Sequence, residues 1–221
     1  MPWFFSPIAR IRHATQKRLA EVTPHSKDFY ILISFSSAMA ALGLIMDNTA
    51  VIIGAMVVAP LVTPLFVFSL SVLILQGRDL WRSFLSILFG TIVALLVAAS
   101  IGSIAHAFAQ ESTFLTGEIL SRSKPDMLYF LVACISGLAG AFAYARPKIK
   151  EFVTGIAIAA AIIPPIAVAG IALSVDNIFL FRQSMLLYMF NIIGICLGSI
   201  LMFVLLGFGK EIEKTNATPN V

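Results

Sequence analysis

The chain has 221 residues, of which 59% are hydrophobic and only 12% are charged, and its mean hydropathy is +0.97. These values exclude an ordinary soluble domain and indicate an integral membrane protein. The net charge of +4 does not indicate a nucleic-acid partner, because the basic residues stand in short loops beside apolar segments and are not interleaved with stacking aromatic residues.

Residues 1–28 have the pattern of a cytoplasmic amphipathic helix that lies in the headgroup region. Phe5, Ile8 and Ile11 recur at roughly helical spacing, whereas Arg10 and Lys17 fall on another side. The alternative is a basic tail that only helps to set the topology.

Six apolar segments follow, and each is close to the roughly twenty residues that a helix needs to cross a bilayer. Because lipid cannot satisfy exposed peptide groups, and no strand-like alternation is present, we expect helices. The predicted spans are Phe29–Met46, Ala50–Leu75, Phe84–Phe108, Met127–Ala145, Phe152–Val175 and Met185–Leu206.

The basic residues predict the orientation of these spans. If the N-terminus is cytoplasmic, 12 of the 15 Lys and Arg residues lie on that side, as the positive-inside rule requires. Both termini are therefore expected in the cytoplasm. Residues 109–126 then form an extracytoplasmic loop, and residues 208–221 form a cytoplasmic polar tail.

The two halves of the chain correspond at a shift of 101 residues, which places Gly54 on Gly155 and Pro64 on Pro165. The shift superposes the three spans of residues 29–108 on those of residues 127–207. Because three spans are an odd number, a true duplication would orient the halves oppositely across the membrane. The predicted fold is all-α, with six transmembrane helices arranged as two inverted three-helix repeats.

Helices two and five of this arrangement are predicted to be broken by proline at the midplane. The segments are GAMVVAPLVTP, from Gly54 to Pro64, and GIAIAAAIIPP, from Gly155 to Pro165. Paired breaks of this kind are the best sequence-level indication of a transporter's binding site. Proline has no amide hydrogen, so the carbonyls of Met56, Pro60, Ala160 and Ala161 would lose helical partners. The residues before the prolines, Ala59, Thr63 and Ile163, are biased toward extended backbone.

Such a break would leave free carbonyls on one side, which suit a cation, and free amides on the other, which suit an anion. The alternative is an ordinary proline kink whose carbonyls are satisfied by local adjustment. The candidate substrate-binding residues are Gly54, Met56, Ala59, Pro60, Thr63, Pro64, Ala160, Ala161, Pro164 and Pro165. Two secondary polar candidates are Asn48, for which helix capping is a sufficient explanation, and Asn191, which more simply bonds across helices.

The eleven acidic residues all fall in loops, tails or span ends, so no intramembrane carboxylate is available as a proton relay. We expect no catalytic residues, metal site or cofactor, because the usual enzyme motifs and metal-ligand spacings are missing from the sequence. Gly194 and Gly198 stand at the GxxxG spacing, which permits close packing within or between subunits. A homo-oligomer is expected.

The segment Asn48-Thr-Ala-Val-Ile-Ile-Gly-Ala-Met-Val-Val-Ala-Pro-Leu-Val-Thr-Pro64, with the later Pro164-Pro165 pair, resembles the signature of a prokaryotic membrane family called domain of unknown function 389. The resemblance implies a multi-span protein of a prokaryotic inner membrane and does not imply a substrate. The positions that match the family pattern are Asn48, Gly54, Ala55, Met56, Ala59, Pro60, Pro64, Pro164 and Pro165.

Two functions from different classes follow from the sequence. The first is a membrane transporter or channel for a small ion or solute, with a midplane site between the two broken helices. The alternative is a non-transporting oligomeric membrane scaffold or lipid-interacting module. The expected partners are the lipid bilayer, a small ion or solute and further copies of the chain, with no nucleic acid.

Overall fold

A computed structural model describes residues 27–108, 115–145 and 162–208. Over these ranges the chain contains eight helices and no strands, which confirms the all-α prediction for the described residues. The helices are α1 (Lys27–Ile45), α2 (Thr49–Val58), α3 (Val62–Ile74), α4 (Gly77–Phe108), α5 (Gly117–Ser121), α6 (Met127–Ala145), α7 (Ile163–Ser174) and α8 (Ile178–Leu205).

Several sequence predictions lie outside these ranges. The described residues leave out nearly all of the predicted interfacial helix and nearly all of the predicted polar tail. They also leave out part of the predicted loop at 109–126 and the first half of the predicted fifth span, including Ala160 and Ala161.

Four of the described helices, α1, α4, α6 and α8, are long and apolar enough to cross a membrane. A fifth crossing is possible if α2 and α3 form one span, which bends by 52° at its break. Helix α7 is apolar but has only 12 residues. The helix at the predicted third span begins at Gly77 rather than at Phe84, because Arg78, Asp79 and Arg82 are accommodated in the first turns of α4. The helix at the predicted sixth span likewise begins earlier, at Ile178.

Two turns with the same geometry connect helices at Asp47 and Asp176. Each aspartate adopts a left-handed backbone with φ of 52°, and each following asparagine accepts amide hydrogen bonds that cap the next helix. The amide of Asn48 donates to the Gly43 carbonyl at 2.8 Å, and that of Asn177 donates to the Ala172 carbonyl at 2.9 Å. These bonds are those of a Schellman motif, which ends a helix and reverses the chain within a few residues.

The long helices pack as parallel pairs. Gly90 of α4 lies against Phe29 and Ile33 of α1, and further along both helices Ser37 bonds to the carbonyl of Ala94. Helices α6 and α8 run parallel in the same way, and so do α4 and α7, since later residues of one helix contact later residues of the other. The short helices α3 and α7 both pack against α4 and α8, and α7 also packs against α1.

The GxxxG face of α8 is used inside the subunit. A Cβ added at Gly194 would lie 2.8 Å from the Cβ of Ala133, and one added at Gly198 would clash with the carbonyl oxygen of Cys134. Both contacts are to α6. Of the two uses that the sequence left open for these glycines, packing within the chain is the one observed, because backbones this close leave no room for another subunit.

Candidate functional site

The two proline-containing segments meet at a small internal cavity. It is lined by Met56, Ala59, Leu61 and Val62 from the first break and by Ile162 and Ile163 from the second. Its volume is about 10 Å³, which is about the room that one water molecule needs. Segments about a hundred residues apart in the sequence are therefore neighbours in the fold.

The first break separates two half-helices. Ala59 ends α2 with an extended backbone, ψ being 121°, as expected for a residue before proline. Pro60 has no amide hydrogen to donate to the Met56 carbonyl. One carbonyl in the last turn of α2 accepts a hydrogen bond from another helix: the buried hydroxyl of Ser36 donates to the Ala55 carbonyl at 2.6 Å. The carbonyl end of α2 is thus partly covered by α1.

The helices that follow the two breaks begin without side-chain caps. Neither Leu61, at the start of α3, nor Ile162, at the start of α7, provides a hydrogen bond to its own helix N-terminus. The first amides of a helix have no partner within that helix. Since Leu61 and Ile162 both line the cavity, two helix N-termini, each with a partial positive charge, lie beside it.

Thr63 and Ile163 do not follow the extended bias expected before proline. Both lie in the first turn of a helix, α3 and α7 respectively, and the proline after each is also in that turn. Proline is tolerated there because its missing amide would have had no helical partner in any case. The actual break in the second span is therefore at Ala59 to Leu61, and Pro64 belongs to the second half-helix.

The predicted site residues divide into three groups. Met56 and Ala59 line the cavity, and Pro60 joins the two lining segments. Five others lie in the flanking helices and are not among the residues that line it: Gly54, Thr63, Pro64, Pro164 and Pro165, the last two being buried in α7. Ala160 and Ala161 lie outside the described residues.

Sequence reasoning missed Leu61, Val62, Ile162 and Ile163 as lining residues. Each is within three residues of a break proline, so the signal was available. It was overlooked because the candidates were chosen for the backbone groups that proline affects and not for the side chains that could line the gap.

Helices α1 and α4 support the first break. A Cβ added at Gly90 would lie 2.9 Å from the Cδ2 of Leu61 and 2.9 Å from the Cδ1 of Ile33. One turn further along both helices, the Ser37 hydroxyl donates to the Ala94 carbonyl at 2.5 Å. The break is therefore held against a glycine surface rather than against bulky side chains.

A partly buried polar pair joins α4 to α8 at Thr91, the residue after Gly90. The Thr91 hydroxyl hydrogen-bonds the phenol of Tyr188, whose side chain is only 1% exposed. The candidate Asn191 lies nearly one turn further along α8 and is also buried, but it does not line the cavity. Neither Thr91 nor Tyr188 was a sequence candidate, because single hydroxyls in apolar segments carry no pattern.

The other secondary candidate, Asn48, is far from the cavity. Its side-chain oxygen accepts from the amides of Ala50 at 3.0 Å and Val51 at 3.2 Å, which makes it the N-cap of α2. Beside it, the Asp47 carboxylate accepts from the amide of Glu118 at 2.8 Å. This pair of contacts belongs to a loop that closes one end of the helix bundle.

The loop is held by several polar contacts with the turn between α1 and α2. The Thr116 hydroxyl donates to the Leu44 carbonyl at 2.7 Å, and the Thr49 hydroxyl bonds to the Glu118 carboxylate. Glu118 also forms an ion pair with Arg122, one turn later. Burial lowers the pKa of the Arg122 guanidinium, and the nearby Tyr129 opposes that effect. Such a group still remains protonated in a protein.

Among the described residues, no charged side chain lines the cavity. In the part of the chain that the structure describes, no group of three or more His, Cys, Asp or Glu residues is placed to hold a metal ion. Cys134 and Cys196 are free thiols. The polar groups available at the breaks are consequently backbone amides and carbonyls.

Comparison with known proteins identifies the family. The model of the family described as domain of unknown function (DUF389) matches residues 56–197, a segment that contains both breaks. The chain belongs to this family. The DUF389 segment begins at Met56, the first residue that lines the cavity, and it includes every other lining residue.

This DUF389 chain is also similar to the uncharacterized protein MJ0678 of Methanocaldococcus jannaschii. The two are 25% identical over 197 residues, which make up 89% of this chain. The matched region covers 60% of the relative, so the chain spans about three fifths of that protein's length. No solved structure matches the chain.

Proposed function

We propose that the protein is a membrane transporter or channel for a small ion or solute, with no catalytic role, and that its pathway passes between the two broken segments. The observation that carries this proposal is the shared cavity, where Ala59 and Leu61 of one break meet Ile162 of the other. A cavity that holds about one water is closed to any larger solute, so transport requires the breaks to separate.

We further propose six spans in two inverted repeats, with α7 as the second half of the fifth span. The helix bounds support this arrangement. Helices α3 and α7 begin 101 residues apart, at Val62 and Ile163, and so do α4 and α8, at Gly77 and Ile178. The left-handed residues that end the two short helices, Leu75 and Asp176, are separated by the same number.

The directions of the helices support the inversion. Helix α7 runs parallel to α4, as Gly170 lies against Leu95 while Gly102 lies against Ser174. The tight turn at Asp176 reverses the chain between α7 and α8. Helix α8 therefore runs opposite to α4. Because α1 is parallel to α4 and α6 is parallel to α8, the two halves are opposed as the proposal requires.

Equivalent contacts in the two halves give independent support. Ser37 of α1 donates to the Ala94 carbonyl, and Gly137 of α6 lies directly on the Ile195 carbonyl, which is 101 residues later than Ala94. Under the same shift Gly137 corresponds to Ser36, the residue before Ser37. A small residue within one position of the same place in each half thus allows the first and third helices of that half to approach closely.

In a second set of contacts, the short helix of each half packs on the long helix of the other half. Gly170 of α7 packs on Leu95 of α4, while Ser69 of α3 lies beside Cys196 of α8. Both positions in the second contact differ by 101 residues from those in the first. Each broken helix therefore packs on the long helix of the other repeat, an arrangement that lets one half move relative to the other about equivalent surfaces.

The chemistry of the site sets what the pathway can accept. The N-termini of α3 and α7 favour an anion or an electron-rich group, and the carbonyl end of α2 favours a cation. No charged side chain of residues 27–108, 115–145 or 162–208 lines the cavity to select between them. The flux measurement therefore determines whether the pathway prefers anions or cations.

The test is tracer and current flux in proteoliposomes, with a panel of small anions, cations and neutral solutes. Pro60→Ala restores an amide at the break, and Ala59→Leu fills the cavity. Both should abolish flux while the protein remains monodisperse. Ala107→Leu is the matched control, because Ala107 is exposed near the end of α4 and the same added side chain there should leave flux unchanged.

Flux that survives both Pro60→Ala and Ala59→Leu would contradict a pathway at the breaks. Absence of flux for the whole panel, with correctly inserted protein, would favour the alternative of a membrane scaffold. We also propose that the protein resides in a prokaryotic inner membrane as a homo-oligomer with cytoplasmic termini. Mass measurement in detergent tests the oligomeric state, and proteolysis of oriented vesicles tests the position of the termini.

A further inference from the structure

An open apolar groove lies where α3 and α4 meet, well away from the breaks. It is lined by Phe68, Gly77, Leu80, Trp81 and Phe84 and has a volume of about 300 Å³. The rings of Trp81 and Phe84 stack with centroids 5.7 Å apart. Trp81 is 61% exposed, so most of its indole has no protein partner in the described residues.

The groove lies at the N-terminal end of α4, where two cations are next in sequence to lining residues, Arg78 after Gly77 and Arg82 after Trp81. Arg78 and Arg82 are one helical turn apart on α4, and both are exposed. Neither guanidinium pairs with an acidic side chain in the described ranges. The carboxylate in this turn, Asp79, instead accepts a hydrogen bond from the Gln76 amide at 2.5 Å.

The mouth of the groove is kept open by a residue with no side chain. A Cβ added at Gly77 would have no other atom within 4 Å. Deeper in the groove, the wall becomes aromatic and aliphatic through Phe68 of α3 and Phe84 of α4. The surface therefore changes from cationic to apolar over a few residues, along α4 from its N-terminus.

We propose that this groove binds one anionic phospholipid, with an acyl chain along Phe68 and Phe84 and the negatively charged headgroup at Arg78 and Arg82. Charge complementarity selects the lipid, because unpaired arginines at the membrane surface attract anionic headgroups. The indole of Trp81 lies between the two parts, at the headgroup level where tryptophan is favoured. This site does not depend on the proposed transport function.

Trp81 provides the probe for the test. The chain has two tryptophans, so Trp3→Phe leaves Trp81 as the single reporter. The protein is reconstituted in phosphatidylcholine vesicles that contain the same mole fraction of either brominated phosphatidylglycerol or brominated phosphatidylcholine. We expect stronger quenching by the brominated phosphatidylglycerol, with a preference of up to about thirty-fold in apparent affinity if each arginine acts independently.

Three variants locate the preference. The pair Arg78→Gln and Arg82→Gln should reduce it to about one, whereas Arg182→Gln, at the opposite end of the bundle, should leave it intact. Gly77→Leu fills the groove mouth without touching the fold and should reduce quenching by both lipids. Each variant is made in the Trp3→Phe background and compared with the Trp3→Phe protein, in which no residue of the groove is changed.

Equal quenching by the two brominated lipids in the Trp3→Phe protein would overturn the proposal even if no other variant could be purified. So would a preference that survives Arg78→Gln with Arg82→Gln, because the headgroup would then be bound elsewhere. Quenching by neither lipid would mean that protein covers the groove, from residues 1–26 or from a second copy, and would also overturn it.

Discussion

Leu61, which follows Pro60 at the break in the second span, packs on Gly90 of α4, with its Cδ2 2.9 Å from the position that a Cβ would take there. The break is thus fitted to a backbone surface. Any side chain at position 90 must displace Leu61 toward the cavity that it lines or push α4 away.

Three glycines in helices should respond to alanine in a defined order. Gly90→Ala presses on the mobile end of Leu61 and should cost about 1 kcal/mol. Gly198→Ala meets the carbonyl of Cys134, which is backbone and cannot yield, so it should cost about 3 kcal/mol or more. Gly77→Ala meets nothing within 4 Å and should stay within about 0.5 kcal/mol of the wild type. Thermal unfolding in detergent measures the order, and a Gly198→Ala protein as stable as Gly77→Ala would contradict the packing of α6 on α8.

The left-handed residues that end helices predict stabilising changes. Leu75 has φ of 56° and is 79% exposed, so Leu75→Gly removes backbone strain and should raise the stability by about 1 kcal/mol. Asp176→Gly should have a similar effect. Asp47→Gly should not, because it also removes the 2.8 Å bond to the Glu118 amide. Unfolding temperatures of the three variants provide the comparison, and a fall for Leu75→Gly would be the contrary result.

The two asparagine caps should act on stability and not on transport. Asn48→Ala and Asn177→Ala each remove a side-chain acceptor at a helix N-terminus, which typically costs about 1 kcal/mol. Unfolding temperature and flux should be measured on the same samples. If Asn48→Ala abolished flux with its stability unchanged, Asn48 would be a site residue and not a cap.

Access of water to the break can be measured with single cysteines. In a Cys134→Ala, Cys196→Ser background, Ala59→Cys should react with a polar thiol reagent, because Ala59 lines the cavity and becomes accessible when the breaks separate during transport. Ile53→Cys, one and a half turns earlier on an exposed apolar face of α2, should not react in the bilayer. Equal reactivity at the two positions would argue against a wet pathway through the break.

Much of the fold could be predicted from the sequence because the bilayer imposes strict rules on length and hydropathy. The ends of α1, α6 and α8 lie close to the predicted bounds, apart from the earlier start of α8. The start of α4 was placed seven residues too late, because Arg78 and Arg82 look like loop residues to a hydropathy scan although they fit the first turns of a helix. The bend after Ala59 was predicted correctly from Pro60.

The candidate site could be predicted only in part. Proline marks where a helix cannot continue, and that local rule located Met56 and Ala59. Local rules do not say whether a proline interrupts a helix or begins one, so Pro64 and Pro165 were assigned to the breaks although they lie in the first turns of α3 and α7.

By itself, the sequence determined that the chain forms apolar helices long enough for a membrane and that the second span is interrupted, because both properties depend on residues that are close together in the chain. Only the tertiary structure decided that Leu61 and Ile162 meet at one cavity, that Gly194 and Gly198 are used within the subunit, and that Thr91 bonds to Tyr188. These contacts depend on which helices pack together. In apolar sequences rich in small residues, many pairings satisfy the same pattern, and the close approach of particular backbones selects one of them.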